Sequence, residues 1–159
     1  MAKPKLYLLV GNIGSGKSTY ARKMAKKGFV VVSRDALRYM VGAGNYVFNP
    51  NLEPAIKQAN IEIMKIFMQN HFNIISDQSN LNFAMRAGTL MMANIYGYEK
   101  IAIVFPKYSQ RVSVNRRLKH PHGNFPCEVW NKVWAVFNLT MEEPTKAEGF
   151  DKIIKVRAK

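Results

Sequence analysis

The stretch GNIGSGKST, residues 11 to 19, constrains this chain more than any other feature. It meets the pattern G-x-x-x-x-G-K-[ST] at Gly11, Gly16, Lys17 and Ser18. Four fixed positions of this kind arise by chance in roughly one chain in two hundred of this length. The match follows an apolar run, LYLLV (6–10), and opens a segment of helical composition, KSTYARKMAKKG (17–28). That is the strand, loop and helix order that phosphate binding demands. The glycines let successive N–H groups curl inward, and the helix N-terminus adds partial positive charge. Gly11, Asn12, Ile13, Gly14, Ser15, Gly16, Lys17, Ser18 and Thr19 are therefore expected to cradle nucleotide phosphates. Lys17 is expected to reach the β and γ phosphates, and Ser18 to ligate Mg²⁺ through its hydroxyl.

The rest of the chain supplies the frame such a loop needs. Short apolar runs recur at FVVVS (29–33), NIISD (73–77), KIAIVF (100–105) and KIIKV (152–156). Between them lie longer segments of helical period, which predicts an α/β fold of the P-loop NTPase type: a four- to five-stranded parallel sheet flanked by helices in three layers. KIIKV is the most polar run and reads as an edge strand. Residues 53–70 repeat apolar positions at Ile56, Ala59, Ile63 and Phe67, and 82–96 reads as a helix capped by Asn82 with Met and Leu toward the sheet. Residues 110–119 form a basic helix. Residues 127–141 carry Trp130, Trp134 and Phe137 at core spacing. A single domain over residues 1–159 is expected, without repeat or linker. The segments 41–51 and 118–126 have loop chemistry.

Charge narrows the partner. Lys and Arg number 24 against 10 Asp and Glu, a formal net charge of +14. An excess of this size points to an anionic macromolecule, nucleic acid first. The single Cys127 and the lack of zinc-ligand spacing fit a reducing compartment, so the expected location is cytoplasmic. No window reaches the roughly 20 apolar residues of a membrane span, and no membrane partner is expected.

A second motif, SRDALR (33–38), lies just past the second strand, at the edge where open α/β sheets bind ligands. If a helix starts at Arg34, Asp35 and Arg38 share one face at i and i+3. A carboxylate there can accept the proton of an attacking hydroxyl, and an arginine one turn on can clamp a phosphate. The same two residues also suit a helix-start Asp in a surface ion pair worth a few tenths of a kcal/mol.

Taken in order, GNIGSGKST, SRDALRYM, IISDQSNLN and VNRRLKHPHGNFP give a chain that resembles the kinase domain of the phage-type 5′-polynucleotide kinases. The resemblance implies a P-loop kinase that transfers the γ-phosphate of ATP to the 5′-hydroxyl of DNA or RNA, with ATP and Mg²⁺ as cofactors. It implies Lys17 and Ser18 on the ATP phosphates and Mg²⁺, Asp35 as general base, Arg38 on the acceptor phosphate, and Asp77 supporting the acceptor and metal side. A basic lid over approximately residues 111–126 would bring Arg116 and Arg117 to the transferring phosphate. The family usually places two lid arginines four residues apart, whereas Arg116 has His120 at i+4. Relatives often carry a fused phosphatase or ligase domain, and this chain is expected to be the kinase alone. His120 and His122 lack the partners of a metal site and are assigned to a flexible lid. Phe125 and Pro126 suit either adenine or a hinge contact.

Two other readings use the same loop. A kinase of a small acceptor such as a nucleoside, sugar or antibiotic has little use for a charge of +14. A nucleic-acid-binding ATPase would hydrolyse ATP without labelling any acceptor.

Overall fold

The computed structural model describes residues 2–158. Five strands, β1 (Lys5–Val10), β2 (Val30–Val32), β3 (Ile74–Ser76), β4 (Glu99–Val104) and β5 (Lys152–Lys155), pair in parallel in the order β2-β3-β1-β4-β5. The central strand β1 therefore feeds the phosphate loop at the middle of the sheet's C-terminal edge. Each of its six residues pairs with β4, from Lys5 with Glu99 to Val10 with Val104. β5 is an edge strand, as its polarity predicts, and the short β2 forms the other edge, leaving Val31 exposed.

Alternation along β1 divides the core into two layers. Leu6 and Leu8 pack with Val32, Met64, Met68, Leu90 and Ala93 on the face covered by α3 (Glu53–Gln69) and α4 (Phe83–Ile95). Leu9 joins Ala21, Met24, Ile75, Ile103 and Phe105 on the face covered by α1 (Lys17–Ala25). The remaining helices are α2 (Arg34–Val41), α5 (Gln110–Lys119) and α6 (Cys127–Thr140), with one 3₁₀ turn, Lys146–Glu148.

Two helices sit in a different phase from the sequence reading. On α3 the fully buried row is Ile56, Asn60, Met64 and Met68, while Ile63 and Phe67 flank it. The drift arises because a strict i, i+4 row also fits the period, and the polar Asn60 disguised it. On α4 the cap is Asn82, whose side chain accepts from the Met85 N–H at 3.0 Å. Its inward face holds Arg86, Leu90 and Ala93, however, and Met85 and Met91 are exposed.

Arg86 is wholly buried and bonded at every edge. It donates to both Glu148 oxygens at 2.7 and 2.8 Å and to the carbonyls of Asn80 and Glu142 at 3.0 and 3.1 Å. Asn80 in turn donates to the Leu9 carbonyl at 2.9 Å, and the Gly11 N–H donates to Ser79. The pair thus supports the floor of the phosphate loop. Removing one member strands a buried charge, so Arg86→Ala is expected to cost about 3–5 kcal/mol. A urea titration followed by circular dichroism measures it.

Candidate active site

The phosphate loop turns through left-handed conformations at Gly14 (φ +64°) and Gly16 (φ +102°), which side chains rarely adopt. A Cβ on Gly14 would also collide with the Ser113 carbonyl of α5. The N-terminus of α1 has no side-chain cap and no acidic residue in its first turn, whereas Ser33, Asn82 and Ser109 cap α2, α4 and α5. Its first-turn N–H groups are thus left for an external anion.

Lys17 is buried, and its ammonium donates to the carbonyls of Gly11 and Asn12 at 2.9 and 2.6 Å and to Ser15 Oγ at 3.4 Å. Burial lowers its pKa to about 8, opposed by the charge of Asp77 and reinforced by that of Arg117. Two loop residues face elsewhere. Ile13 packs against Val114 and Trp130, and Asn12 donates to the Trp134 carbonyl at 3.0 Å while accepting from the Ile13 N–H. Their side chains anchor the loop to α5 and α6, so only their backbone can meet a phosphate. Thr19 is exposed and accepts from Arg22.

Asp77 follows β3, next to β1, close enough to the Ser18 hydroxyl to be influenced by it. Burial raises its carboxyl, against Ser18 and Lys17. A hydroxyl beside a carboxylate offers the hard oxygen donors that suit Mg²⁺, which takes one or two protein ligands and completes its shell with phosphates and water. No cluster of three His, Cys, Asp or Glu residues suited to a metal occurs among the described residues. The fit is thus to a nucleotide-borne ion and not to an all-protein cage.

Asp35 and Arg38 do share a face of α2, in a 2.6 Å ion pair. Ser33 caps this helix by accepting from the Ala36 N–H. Arg38 is more engaged than its spacing suggests: Nε and Nη2 donate to the two oxygens of Glu53 at 2.9 and 2.5 Å. Those hydrogen bonds raise its pKa above the usual arginine value. The fork expected for an acceptor phosphate is held by carboxylates, and Arg38 must exchange one of them to take a phosphate. Beside it, Arg34 keeps a buried Nε with no partner.

Asp35 collects further partners. Tyr46 of the 42–52 loop donates to its Oδ1 at 2.9 Å, and His122 Nε2 lies 3.4 Å from Oδ2. Burial pushes the carboxyl up, but His122, Tyr46 and Arg38 outweigh it and hold it below the usual carboxylate range. Asp35 is therefore ionised throughout the neutral range.

The two α5 arginines separate. Arg116 donates to the Gly14 carbonyl at 3.2 Å and lies over the Tyr108 ring at 4.1 Å. Arg117 packs over Trp130 at 5.1 Å, with a buried, unpartnered Nε. Burial lowers its pKa, and the charges that oppose this include Asp35 and Asp77. Arg117 is thus the arginine set among the site's carboxylates. Phe125 meets Trp130 edge-on at 5.8 Å, within an apolar cluster that includes Trp134 and Phe137.

Tyr46, Glu53 and Arg34 join the candidate site without a sequence signal, and His122 lies against Asp35. Glu53 and Tyr46 carry no motif spacing; only a loop folded back onto α2 brings them in.

A phosphate loop ending the central strand of a parallel sheet, with a buried lysine and an acidic residue just past the neighbouring strand, defines a P-loop kinase fold. Residues 6–144 match the family model described as an AAA domain, and the chain belongs to that family. No curated protein matches the chain in sequence. Among solved structures, a chain of the Pnkp1/Rnl/Hen1 complex is 26% identical (TM-score 0.60), covering 79% of this chain and 42% of that one. A fungal RNA kinase is 14% identical (TM-score 0.65; 99% and 39%), and a gluconokinase from Sinorhizobium meliloti 1021 is 18% identical (TM-score 0.58; 98% and 83%). This chain spans less than half of the first two, and the last two share its fold. No described helix is long and apolar enough to cross a membrane.

Gly14→Ala is expected to weaken nucleotide binding at least about tenfold, since the strain of its φ is about 1–3 kcal/mol before the Ser113 collision is added. Fluorescent-nucleotide titration measures it. Tyr46→Phe removes a hydrogen bond to the ionised Asp35, so its pKa must rise. Any activity that needs this carboxylate ionised should lose its acid limb at a higher pH than in the wild type, and a pH–rate profile reads the shift.

Proposed function

We propose that this chain is a single kinase domain that transfers the γ-phosphate of ATP to the 5′-hydroxyl end of DNA or RNA. The observation that carries the reading is the meeting of two half-sites. Asp35, which serves an acceptor hydroxyl, is close enough to favour the charge of Lys17, which serves the phosphate donor, and Arg117 interacts with both. The charge of +14 supports a polyanionic acceptor, as do the RNA kinase and the Pnkp1/Rnl/Hen1 complex among the similar folds.

In this reading the loop amides and Lys17 hold the donor phosphates. Ser18, with Asp77 behind it, would hold Mg²⁺, which supplies charge neutralisation at those phosphates. Asp35 accepts the proton of the 5′-hydroxyl as that oxygen attacks in line. Arg117 meets the charge on the transferring group, with Arg116 steadying the loop at Gly14. Arg38 and Arg34 serve the acceptor phosphate, Arg38 by exchanging a carboxylate. Residues 111–126 act as a lid that excludes water.

The occupied fork of Arg38 and the gluconokinase fold favour one rival, phosphorylation of a small hydroxyl acceptor. Incubation with γ-labelled ATP, Mg²⁺ and a panel of 5′-hydroxyl DNA, 5′-hydroxyl RNA, nucleosides and sugars separates the readings. Label is expected on the polynucleotides. Label on small acceptors alone would overturn the proposal, and so would ATP hydrolysis with nothing labelled. Asp35→Asn is expected to lower kcat by about 10²–10⁴-fold with little change in ATP KM, and Arg117→Ala by about 10²–10³-fold.

A further inference from the structure

We propose, resting on the kinase reading above, that His122 is a positioning residue for Asp35, so that the general base is completed only by the lid segment. The geometry begins with the carboxylate. Its Oδ1 takes hydrogen bonds from Arg38 Nη1 at 2.6 Å and Tyr46 Oη at 2.9 Å. Oδ2 faces His122 Nε2 at 3.4 Å. Anchoring one oxygen leaves the carboxylate plane free to turn about it. A contact on the other oxygen fixes that plane, and a base must present its lone pair within about 2.6–3.2 Å of the proton it removes.

The imidazole is itself held. Its Nδ1 lies 3.1 Å from Tyr39 Oη, and its ring stacks on Tyr46 at 5.2 Å and 16° and meets Tyr39 edge-on at 5.7 Å. In the tautomer in which the Tyr39 hydroxyl donates to Nδ1, and not to the Pro121 carbonyl 3.5 Å away, the ring proton sits on Nε2, on the side of Oδ2. The charged and titratable groups facing the ring are Asp35, Arg38 and Tyr39 from α2, Tyr46 from the following loop, and Arg117 from α5. Asp35 favours the imidazolium, the two arginines oppose it, and burial leaves His122 below the ordinary imidazole value.

Three separate segments thus supply the partners of one carboxylate: α2 gives Arg38, the 42–52 loop gives Tyr46, and the lid gives His122. The segment that carries His122 lies outside the site's helices, as does the 42–52 loop, and it can leave without unfolding a helix. When it swings away, Asp35 loses the contact on Oδ2 and its plane is released. Proton abstraction is thereby confined to the closed state, in which water is excluded.

Phosphate transfer to a 5′-hydroxyl oligonucleotide by His122→Ala and His122→Gln tests this. The glutamine amide reaches to about the place of Nε2 and keeps an N–H donor. His122→Ala is expected to lower kcat about tenfold or more, to leave ATP KM within about twofold, and to move the acid limb to higher pH, because losing the positive charge of the ring raises the Asp35 pKa. His122→Gln should recover most of kcat. An unmoved acid limb in His122→Ala, or equal impairment in both variants, would show that the ring only packs on Tyr46 and would overturn the proposal. A second measurement needs no acceptor: NMR titration of the His122 ring should show its pKa falling in Asp35→Asn, and an unchanged value would sink the contact itself. If that value falls while the wild type labels no polynucleotide, the contact stands and the kinase reading fails.

Discussion

A buried ammonium sets the terms for everything around it. Lys17 lies at the centre of the sheet's C-terminal edge, where water cannot solvate its charge, so the Gly11 and Asn12 carbonyls and Ser15 Oγ must do so. The loop has to curl back on itself to aim those oxygens at one point, and it does so through left-handed Gly14 and Gly16. Burial also leaves the charge only partly compensated, which is why its pKa falls to about 8. An incoming polyphosphate supplies the missing anion. The loop is in this sense built around a charge that its own protein groups do not fully satisfy.

Such a loop is held from both sides. Below, the Asn80 side chain and the Ser79 carbonyl fix β1 and Gly11, with Arg86 and Glu148 buried behind them. Above, Ile13 enters the apolar cluster of Val114 and Trp130, Asn12 reaches Trp134, and Gly14 abuts Ser113. The helices that bear the site's arginines therefore dock on the loop itself. This coupling places Arg116 on Gly14 and leaves Arg117 free to face the carboxylates.

Much of the frame was legible because its signals are local. The apolar runs gave all five strands, and glycine, serine and asparagine marked the turns and caps at Gly16, Ser33 and Asn82. The Asp35–Arg38 pair followed from helical spacing. The burial phase of α3 and the buried arginine of α4 were not legible, since Asn60 and Arg86 are polar residues whose inward position depends on partners distant in the chain. The same holds at the site. Glu53 takes the Arg38 fork, Tyr46 takes an Asp35 oxygen and His122 takes the other, and none of them belongs to a spacing pattern.

The sequence by itself determined a phosphate-binding loop, a parallel α/β sheet to carry it, a helix that sets an aspartate and an arginine on one face, and a charge suited to a polyanion. These rest on backbone conformation, periodicity and composition, which act over a few residues or over the whole chain at once. Only the tertiary structure decided which groups Arg38 and Asp35 meet, which α5 arginine faces the carboxylates, and that His122 lies against Asp35. Those outcomes depend on side chains up to some 87 positions apart converging within about 3 Å, and that convergence is set by how the loops fold over the sheet edge.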